Sequence, residues 1–167
     1  MRLASLLLIA AMALAPPLAR ATDVVPPAIT QQCGLYAYRA QITAVYDGDS
    51  VTADVDLGFN TWRRDEKLRL FGIDAPEVRG KARPAGLRAR DALRKRIEGR
   101  EVIVCTIKDR TGKYGRYLAQ IWLGAENINL WLIRQGHAVE YDGGRRSLMA
   151  AHGGSDRLPR FIRAALK

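Results

Sequence analysis

Hydrophobic and polar residues alternate along the middle of the chain in the way that β-strands require. Apolar side chains occupy every second position from Val51 to Leu57, and polar Thr and Asp residues lie between them. This period of two is typical of a half-buried strand. Apolar runs rich in β-branched and aromatic residues predict four further strands, at residues 41–46, 67–73, 101–107 and 117–123. We expect residues 58–66 to form a polar connection.

Two segments follow a helical period instead. Residues 85–98 place Ala89, Ala92, Leu93 and Ile97 on one face and end at Gly99. Residues 130–135 form a shorter segment that Asn129 can cap and Gly136 ends. Residues 146–152 have a weaker helical pattern. Five short strands with an inserted helix predict an α+β, mainly β fold, a five-stranded OB-fold-like barrel with two to three helices.

The first residues resemble a signal peptide. Arg2 is followed by an apolar stretch over residues 3–14, and Ala19-Arg20-Ala21 has the small-x-small pattern of a cleavage site. We therefore expect a signal peptide at 1–21, an N-terminal leader at 22–40, the folded domain at 41–141 and a helical tail at 142–167. This organisation predicts a secreted or periplasmic protein, without stable membrane insertion after cleavage. The alternative is an uncleaved membrane anchor.

Composition narrows the class of protein. The chain has 167 residues, of which 48% are hydrophobic, and 27 basic residues against 17 acidic ones give a net charge of +10. These values exclude a disordered tail and fit one compact basic domain, which we expect to be a monomer. Two cysteines and two histidines exclude a disulfide-dense scaffold and a zinc cluster. Cys33 and Cys105 either pair in an oxidising compartment or remain separate thiols.

The segment Asp47-Gly48-Asp49-Ser50 is a candidate cation site. A carboxylate just after a glycine turn can project from the rim of a barrel toward a hard cation. Thr52 and Gly58 stand where an EF-hand loop needs Gly and Glu, which excludes that motif. The alternative is a plain Asp-Gly turn.

Two more acids surround a proline after the third strand. Asp74 and Glu77 flank Ala75-Pro76, and Arg69 lies in the strand before them. Carboxylates beside an arginine suit metal-assisted attack on a phosphodiester, because one acid can hold the cation while another activates water. The alternative is a surface salt bridge beside a proline turn.

A basic loop connects the last two long strands. Residues 109–116 include Lys113, Tyr114 and Arg116. An arginine fork matches phosphate oxygens and an aromatic ring can stack on a base, so the loop suits nucleic acid. A solvated basic hairpin is the alternative.

Taken in order, Asp-Gly-Asp-Ser, Arg69, Asp-Ala-Pro-Glu and Lys-Tyr-Gly-Arg resemble the thermonuclease family typified by staphylococcal nuclease. The resemblance covers roughly residues 41–141. It implies calcium-dependent cleavage of DNA and RNA without sequence specificity, leaving 3′-phosphate ends, with single-stranded or denatured strands preferred.

The same resemblance implies a role for each matching residue. Ca²⁺ would lie between Asp49, Asp74 and the main-chain carbonyl of Ala75. Arg69 and Arg116 would grip the scissile phosphate, and Glu77 would orient or deprotonate the attacking water. The implied substrate contacts are Lys113, Tyr114 and Tyr141.

A rival interpretation is a catalytically inactive OB-fold protein that only binds nucleic acid. Residues 79–100 are rich in Lys and Arg, and such a basic surface attracts a phosphate backbone whether or not it is cleaved. A module that only binds has no use for three acids beside phosphate, which they would repel. The sequence therefore favours the enzyme.

Overall fold

The computed structural model describes residues 33–111 and 115–141 together with Ile29 and Gln31, except the side chains of residues 108–111. In this part of the chain the strands are β1 Ala37–Val45, β2 Ser50–Asp56, β3 Trp62–Leu70, β4 Ile73–Asp74, β5 Glu101–Thr111, β6 Tyr117–Leu123, β7 Glu126–Asn127 and β8 Val139–Glu140. The helices are α1 Arg83–Ile97, preceded by a 3-10 turn at Gly80–Ala82, and α2 Ile128–Arg134.

Five long strands close into a barrel. They follow the order β3-β2-β1-β5-β6 through antiparallel pairs, and β3 returns to β6 in a parallel pair that joins Leu68 to Tyr117 and Arg69 to Leu118. The predicted α+β, mainly β barrel of OB-fold type is confirmed. Closure removes the sheet edges and places the inward side chains of all five strands in one core.

The core is apolar and is capped by one helix. Leu93 and Ile97 of α1 are buried with inward residues of the strands, such as Ile42, Val104 and Ile121. Pro84 at the start of α1 suits a first turn whose amides have no helical partner, and the left-handed Gly99 (φ 71°) follows the end of α1.

Strand β3 begins at Trp62, earlier than predicted from the pattern. Residues 62–66 were expected to lie in a polar connection. Instead they pair with β2, and the pairing extends as far as Asp56 and Trp62. Ion pairs stabilise this exposed first part of β3, since Arg64 contacts Asp54 at 2.7 Å and Arg63 contacts Glu66 at 2.6 Å. Apolar periodicity cannot reveal a strand that is stabilised by ladder hydrogen bonds and charge rather than by burial.

The predicted cap of the second helix is wrong. Asn127 is the cap, because its side chain accepts a hydrogen bond from the Leu130 amide at 3.0 Å. Asn129 is fully buried, where it accepts from the Ile121 amide and donates to the Phe71 carbonyl at 2.9 Å. Its side chain joins α2 to β6 and to the turn before β4.

A disulfide joins Cys33 to Cys105 on the outside of the barrel. Their Cα atoms are 5.2 Å apart, and Ile29 is buried in a small cluster with Cys105 and Trp122. The question that the sequence left open is answered in favour of pairing. The bridge attaches the segment before β1 to β5.

Other expectations lie outside the described residues. They concern the signal peptide at 1–21, the tail at 142–167 with its possible third helix, and the side chains of Lys113 and Tyr114. Among the helices that are described, none has the length and apolar character needed to span a bilayer.

Candidate active site

The candidate site lies where β2, β3 and β6 meet. Ser50 begins β2 and pairs with Arg69 near the end of β3, and Arg69 in turn pairs with Leu118 of β6. Arg116 lies just before β6. Residues far apart in the sequence therefore reach one end of the barrel because of strand pairing.

Asp49 is the buried centre of this site, with an exposed fraction of only 3%. Its Oδ1 accepts from Arg69 Nη1 and from Ser50 Oγ, both at 3.1 Å, and its Oδ2 accepts from the Ala75 amide at 3.1 Å. The main chain of Asp49 is also held, because its carbonyl accepts from the Leu70 amide at 2.8 Å. A carboxylate with this many donors has a fixed orientation.

Two carboxylates converge on one positive group. Arg69 Nη2 lies 3.0 Å from Asp49 Oδ2 and 3.2 Å from Asp74 Oδ1. Asp74 ends the short strand β4, which pairs with β8 through Asp74 and Val139. The fold thus brings Asp49 and Asp74 together around a single cationic nitrogen.

Ser50 connects the carboxylates to the second arginine. Its Oγ donates to Asp49 Oδ1 and accepts from Arg116 Nη1 at 2.7 Å. One buried hydroxyl therefore joins a candidate metal ligand to a candidate phosphate-binding arginine.

Burial raises the pKa of Asp49 to about 6, and Asp47 adds a smaller rise. The Arg69 guanidinium and the hydrogen bonds from Ala75 and Ser50 act in the opposite direction. Desolvation is the largest cause, so this carboxyl holds its proton more tightly than an exposed aspartate does. A bound cation would favour the ionised form.

Close backbone contacts position the loop after β4. A Cβ on Gly48 would lie 2.6 Å from Ala75 Cβ and 2.8 Å from Ala89 Cβ, and a Cβ on Gly86 would lie 2.7 Å from the Pro76 carbonyl oxygen. Both glycines therefore allow contacts that a side chain would prevent. The inner face of α1 rests directly against the acid-bearing loop.

The remaining expected residues lie at the edge of this network. Glu77 is exposed in the loop between β4 and the 3-10 turn. Tyr141 is half-buried, and its amide donates to the Gly72 carbonyl at 2.9 Å, which places the residue beside β4. The Ala75 amide bonds to Asp49, whereas the expected role of this residue concerns its carbonyl.

The donor set fits a hard divalent cation. Two convergent carboxylates supply oxygen ligands, and Ca²⁺ completes such a set with backbone carbonyls and water. Within the described part of the chain, no group of three or more His, Cys, Asp or Glu side chains could hold a metal. Asp49 and Asp74, with the Ala75 carbonyl, are the residues that would hold the ion.

Comparison with known proteins decides the family. A family model described as staphylococcal nuclease homologue matches residues 67–152, about half of the chain. The chain belongs to the staphylococcal nuclease family. Arg69, Asp74, Glu77 and Arg116 lie within that match, whereas Asp49 and Ser50 lie before it.

Named relatives are similar over the same part of the chain. A thermonuclease from Staphylococcus intermedius is 33% identical over 100 residues, which cover 58% of this chain and 56% of the relative. A thermonuclease from Staphylococcus hyicus is 31% identical over 101 residues, with 59% and 56% covered. A probable endonuclease from Candida glabrata is 37% identical over 107 residues, or 60% and 41%. The chain thus spans about half the length of the two thermonucleases.

Sequence reasoning missed two residues that support this nuclease-family site. Ser50 was part of a recognised motif but had no role of its own, since one of its two partners is the adjacent Asp49 and the other, Arg116, comes from a distant segment. Gly86 lies inside a helix, where glycine is unfavourable without a special reason. That unfavourable placement was a signal of close backbone contact.

Proposed function

We propose that this protein is a calcium-dependent nuclease that hydrolyses phosphodiester bonds of DNA and RNA without sequence specificity and leaves 3′-phosphate ends. One observation carries the proposal: Asp49 and Asp74 converge beside Arg69, and Ser50 brings Arg116 to the same place. Membership of the staphylococcal nuclease family and the names of the relatives support it.

The two acids and the Ala75 carbonyl are the proposed cation ligands. A bound Ca²⁺ would supply Lewis-acid polarisation of the phosphate. Asp49 is held in place by Arg69, Ser50 and the Ala75 amide, so its oxygens need little rearrangement. This preorganisation is what electrostatic catalysis requires.

Arg69 and Arg116 are the proposed phosphate-binding groups. Charge builds on the phosphate oxygens as the nucleophile adds, and fixed guanidinium groups stabilise that charge. Arg69 is tied to both aspartates, so its position depends on the same network as the cation ligands. Loss of either arginine should lower kcat by roughly 10²–10³.

Glu77 is the proposed group that orients or deprotonates the attacking water. Its exposure suits that task, because water must reach it. Lys113, Tyr114 and Tyr141 are the proposed contacts to the substrate beyond the scissile phosphate.

We further propose that the mature protein acts outside the cytoplasm as a monomer on single-stranded or denatured nucleic acid. The Cys33–Cys105 disulfide supports this location, because such bridges persist in oxidising compartments.

The test compares calcium, magnesium and chelator on heat-denatured DNA and on RNA, followed by analysis of the product ends. We expect cleavage with calcium alone and 3′-phosphate ends. Retention of nucleic acid without cleavage in any metal would instead favour the OB-fold protein that only binds.

The variant Asp49→Ala tests whether cleavage depends on the candidate site. It should abolish calcium-stimulated cleavage, whereas Asp54→Ala removes a carboxylate of β2 that pairs with Arg64 and should leave cleavage intact. Circular dichroism and thermal melting establish that both variants are folded. Full activity of a folded Asp49→Ala protein would overturn the proposal.

A further inference from the structure

The outer face of α1 carries positive charges that have no acidic partner among the residues that the structure describes. Arg88 and Lys95 lie about two turns apart, opposite the buried face of the helix, and Lys81 lies in the preceding 3-10 turn. All three are exposed, and their side chains make no hydrogen bond or ion pair with the residues that the structure describes. We call Lys81, Arg88 and Lys95 the outer basic stripe.

The carboxylates of α1 and its cap are engaged by other arginines. Arg90 pairs with Asp91 at 2.7 Å, and Arg94 pairs with Glu98 at 2.9 Å. Glu98 also accepts a hydrogen bond from the Val45 amide. Asp91 and Glu98 are therefore ion-paired with arginines outside the outer basic stripe, and the charges of the stripe face solvent.

The helix that carries this stripe is firmly attached to the candidate site. Its inner face meets Gly48 and the Pro76 and Glu77 carbonyls, and Arg94 donates to the Val45 carbonyl at 2.9 Å. The 3-10 turn follows the Glu77 loop directly. From Lys81 to Lys95 the stripe extends about 20 Å away from that loop.

We propose that the outer basic stripe binds phosphates of the nucleic-acid strand beyond the scissile bond and so favours long substrates. The inference rests on the proposed function, because the strand it binds is the substrate of that site. Unpaired Lys and Arg side chains bind a phosphate backbone without reading its sequence. The 3-10 turn that carries Lys81 follows the loop of Glu77 directly along the chain, so a strand held at the site can continue along the stripe.

The chemistry of α1 favours nucleic acid over an anionic membrane. A helix that lies in a membrane interface needs an exposed apolar face beside its charges. The large hydrophobic side chains exposed in the described part of the chain are Leu35, Tyr46, Leu57, Phe59, Trp62 and Tyr117, and none belongs to α1. Charge alone suits a polyanion in solution.

The test compares Arg88→Gln/Lys95→Gln with the control Arg64→Gln/Arg134→Gln in the full chain. Both double variants remove two positive charges, but Arg64 and Arg134 are ion-paired and lie outside α1. Binding is measured in chelator, over a range of salt concentrations, to a labelled single strand of about 20 nucleotides and to a trinucleotide.

We expect the stripe variant to bind the long strand about tenfold more weakly. The slope of log K against log[salt] should become shallower by about 1.4, since each lost phosphate contact on a single strand contributes about 0.7. Trinucleotide affinity should change less than about twofold. The control should keep wild-type slopes for both ligands.

Equal losses for the long strand and the trinucleotide, or the same losses in the control, would overturn the proposal. An unchanged long-strand affinity would also overturn the proposal. Binding to phosphatidylglycerol vesicles is measured in parallel, and a stripe variant that loses only vesicle binding would overturn it too. Chelator keeps this test separate from catalysis. A chain that binds long strands through the stripe but cleaves in no metal would overturn the proposed function alone.

Discussion

Asp49 illustrates how the burial of a single carboxylate disfavours its ionised form while hydrogen bonds fix its orientation. Burial raises its pKa to about 6, yet four donor contacts from Arg69, Ser50 and Ala75 hold its oxygens in place. A buried carboxylate of this kind gains more from a bound cation than an exposed one, because the ion replaces solvation that the fold removed.

The raised pKa predicts how calcium binding depends on pH. Below about pH 6 a proton competes with the cation for Asp49, so affinity should fall as pH decreases and be nearly constant above pH ~7. In the absence of calcium, the free energy of unfolding depends on pH in the opposite direction to calcium affinity. The folded chain binds this proton more tightly than the unfolded chain, so the contribution of Asp49 to stability decreases as pH rises from about 4 to about 6.

Thermal melting with and without calcium, at several pH values, checks both statements. The increase in Tm caused by calcium should shrink between pH ~7 and pH ~5. Asp49→Asn should show no such increase at any pH. An equal increase at both ends of that range in the wild type would contradict the assignment of Asp49 as a ligand.

Ser50 is predicted to position the site rather than to touch the substrate. Ser50→Ala removes the hydroxyl between Asp49 and Arg116 and should lower kcat about tenfold, equivalent to about 1.4 kcal/mol. Ser50→Thr keeps the hydroxyl and should restore most of the activity. Steady-state kinetics of the two variants tests this positioning role, and equal kcat values for Ser50→Ala and Ser50→Thr would exclude it.

At the scale of elements, α1 supports the loop that carries Glu77. The helix approaches so closely that a side chain at Gly86 would meet the Pro76 and Glu77 carbonyls. The 3-10 turn leaves little chain between that loop and the helix, so a displacement at Gly86 must reach Glu77.

Gly86→Ala should therefore lower kcat about tenfold or more, because the loop has to move away from the helix. Gly99→Ala is the matched control. It introduces a Cβ at a left-handed position that has no neighbouring atom of the described residues within 4 Å, and it should cost about 1 kcal/mol of stability without changing kcat. Kinetics together with denaturant unfolding separates the two effects, and equal kcat values would contradict the support role.

At the scale of the whole molecule, the disulfide joins the segment before the barrel to β5 across a sequence separation of 72 residues. A closed loop of that length restricts the unfolded chain, which stabilises the folded state by about 4 kcal/mol in the chain-entropy estimate. The bridge lies on the outside of the barrel, whereas the candidate site lies where β2, β3 and β6 meet.

Cys33→Ala/Cys105→Ala should therefore lower Tm by roughly 10–20 °C and keep kcat at temperatures where the protein is folded. Wild-type protein treated with a thiol reductant should melt at the same temperature as the variant. Unchanged melting after complete reduction would show that the bridge contributes nothing to stability.

Local pattern predicted most of the barrel but not its exposed edges. The alternation from Val51 to Leu57 identified β2 because that strand buries one face. The same logic failed for the start of β3, where Trp62, Arg63 and Arg64 are all exposed. It also assigned a cap to Asn129, whose partners on β6 and at Phe71 become neighbours only through the fold.

The sequence by itself determined the residue types of this site, because Asp49, Arg69, Asp74, Glu77 and Arg116 belong to short motifs whose chemistry is local. Only the tertiary structure decided that Asp49 is buried, that Ser50 joins it to Arg116, and that cations on the outer face of α1 have no partner among the described residues. The reason is physical. Burial, hydrogen-bond partners and charge balance depend on which distant segments the closed barrel makes neighbours.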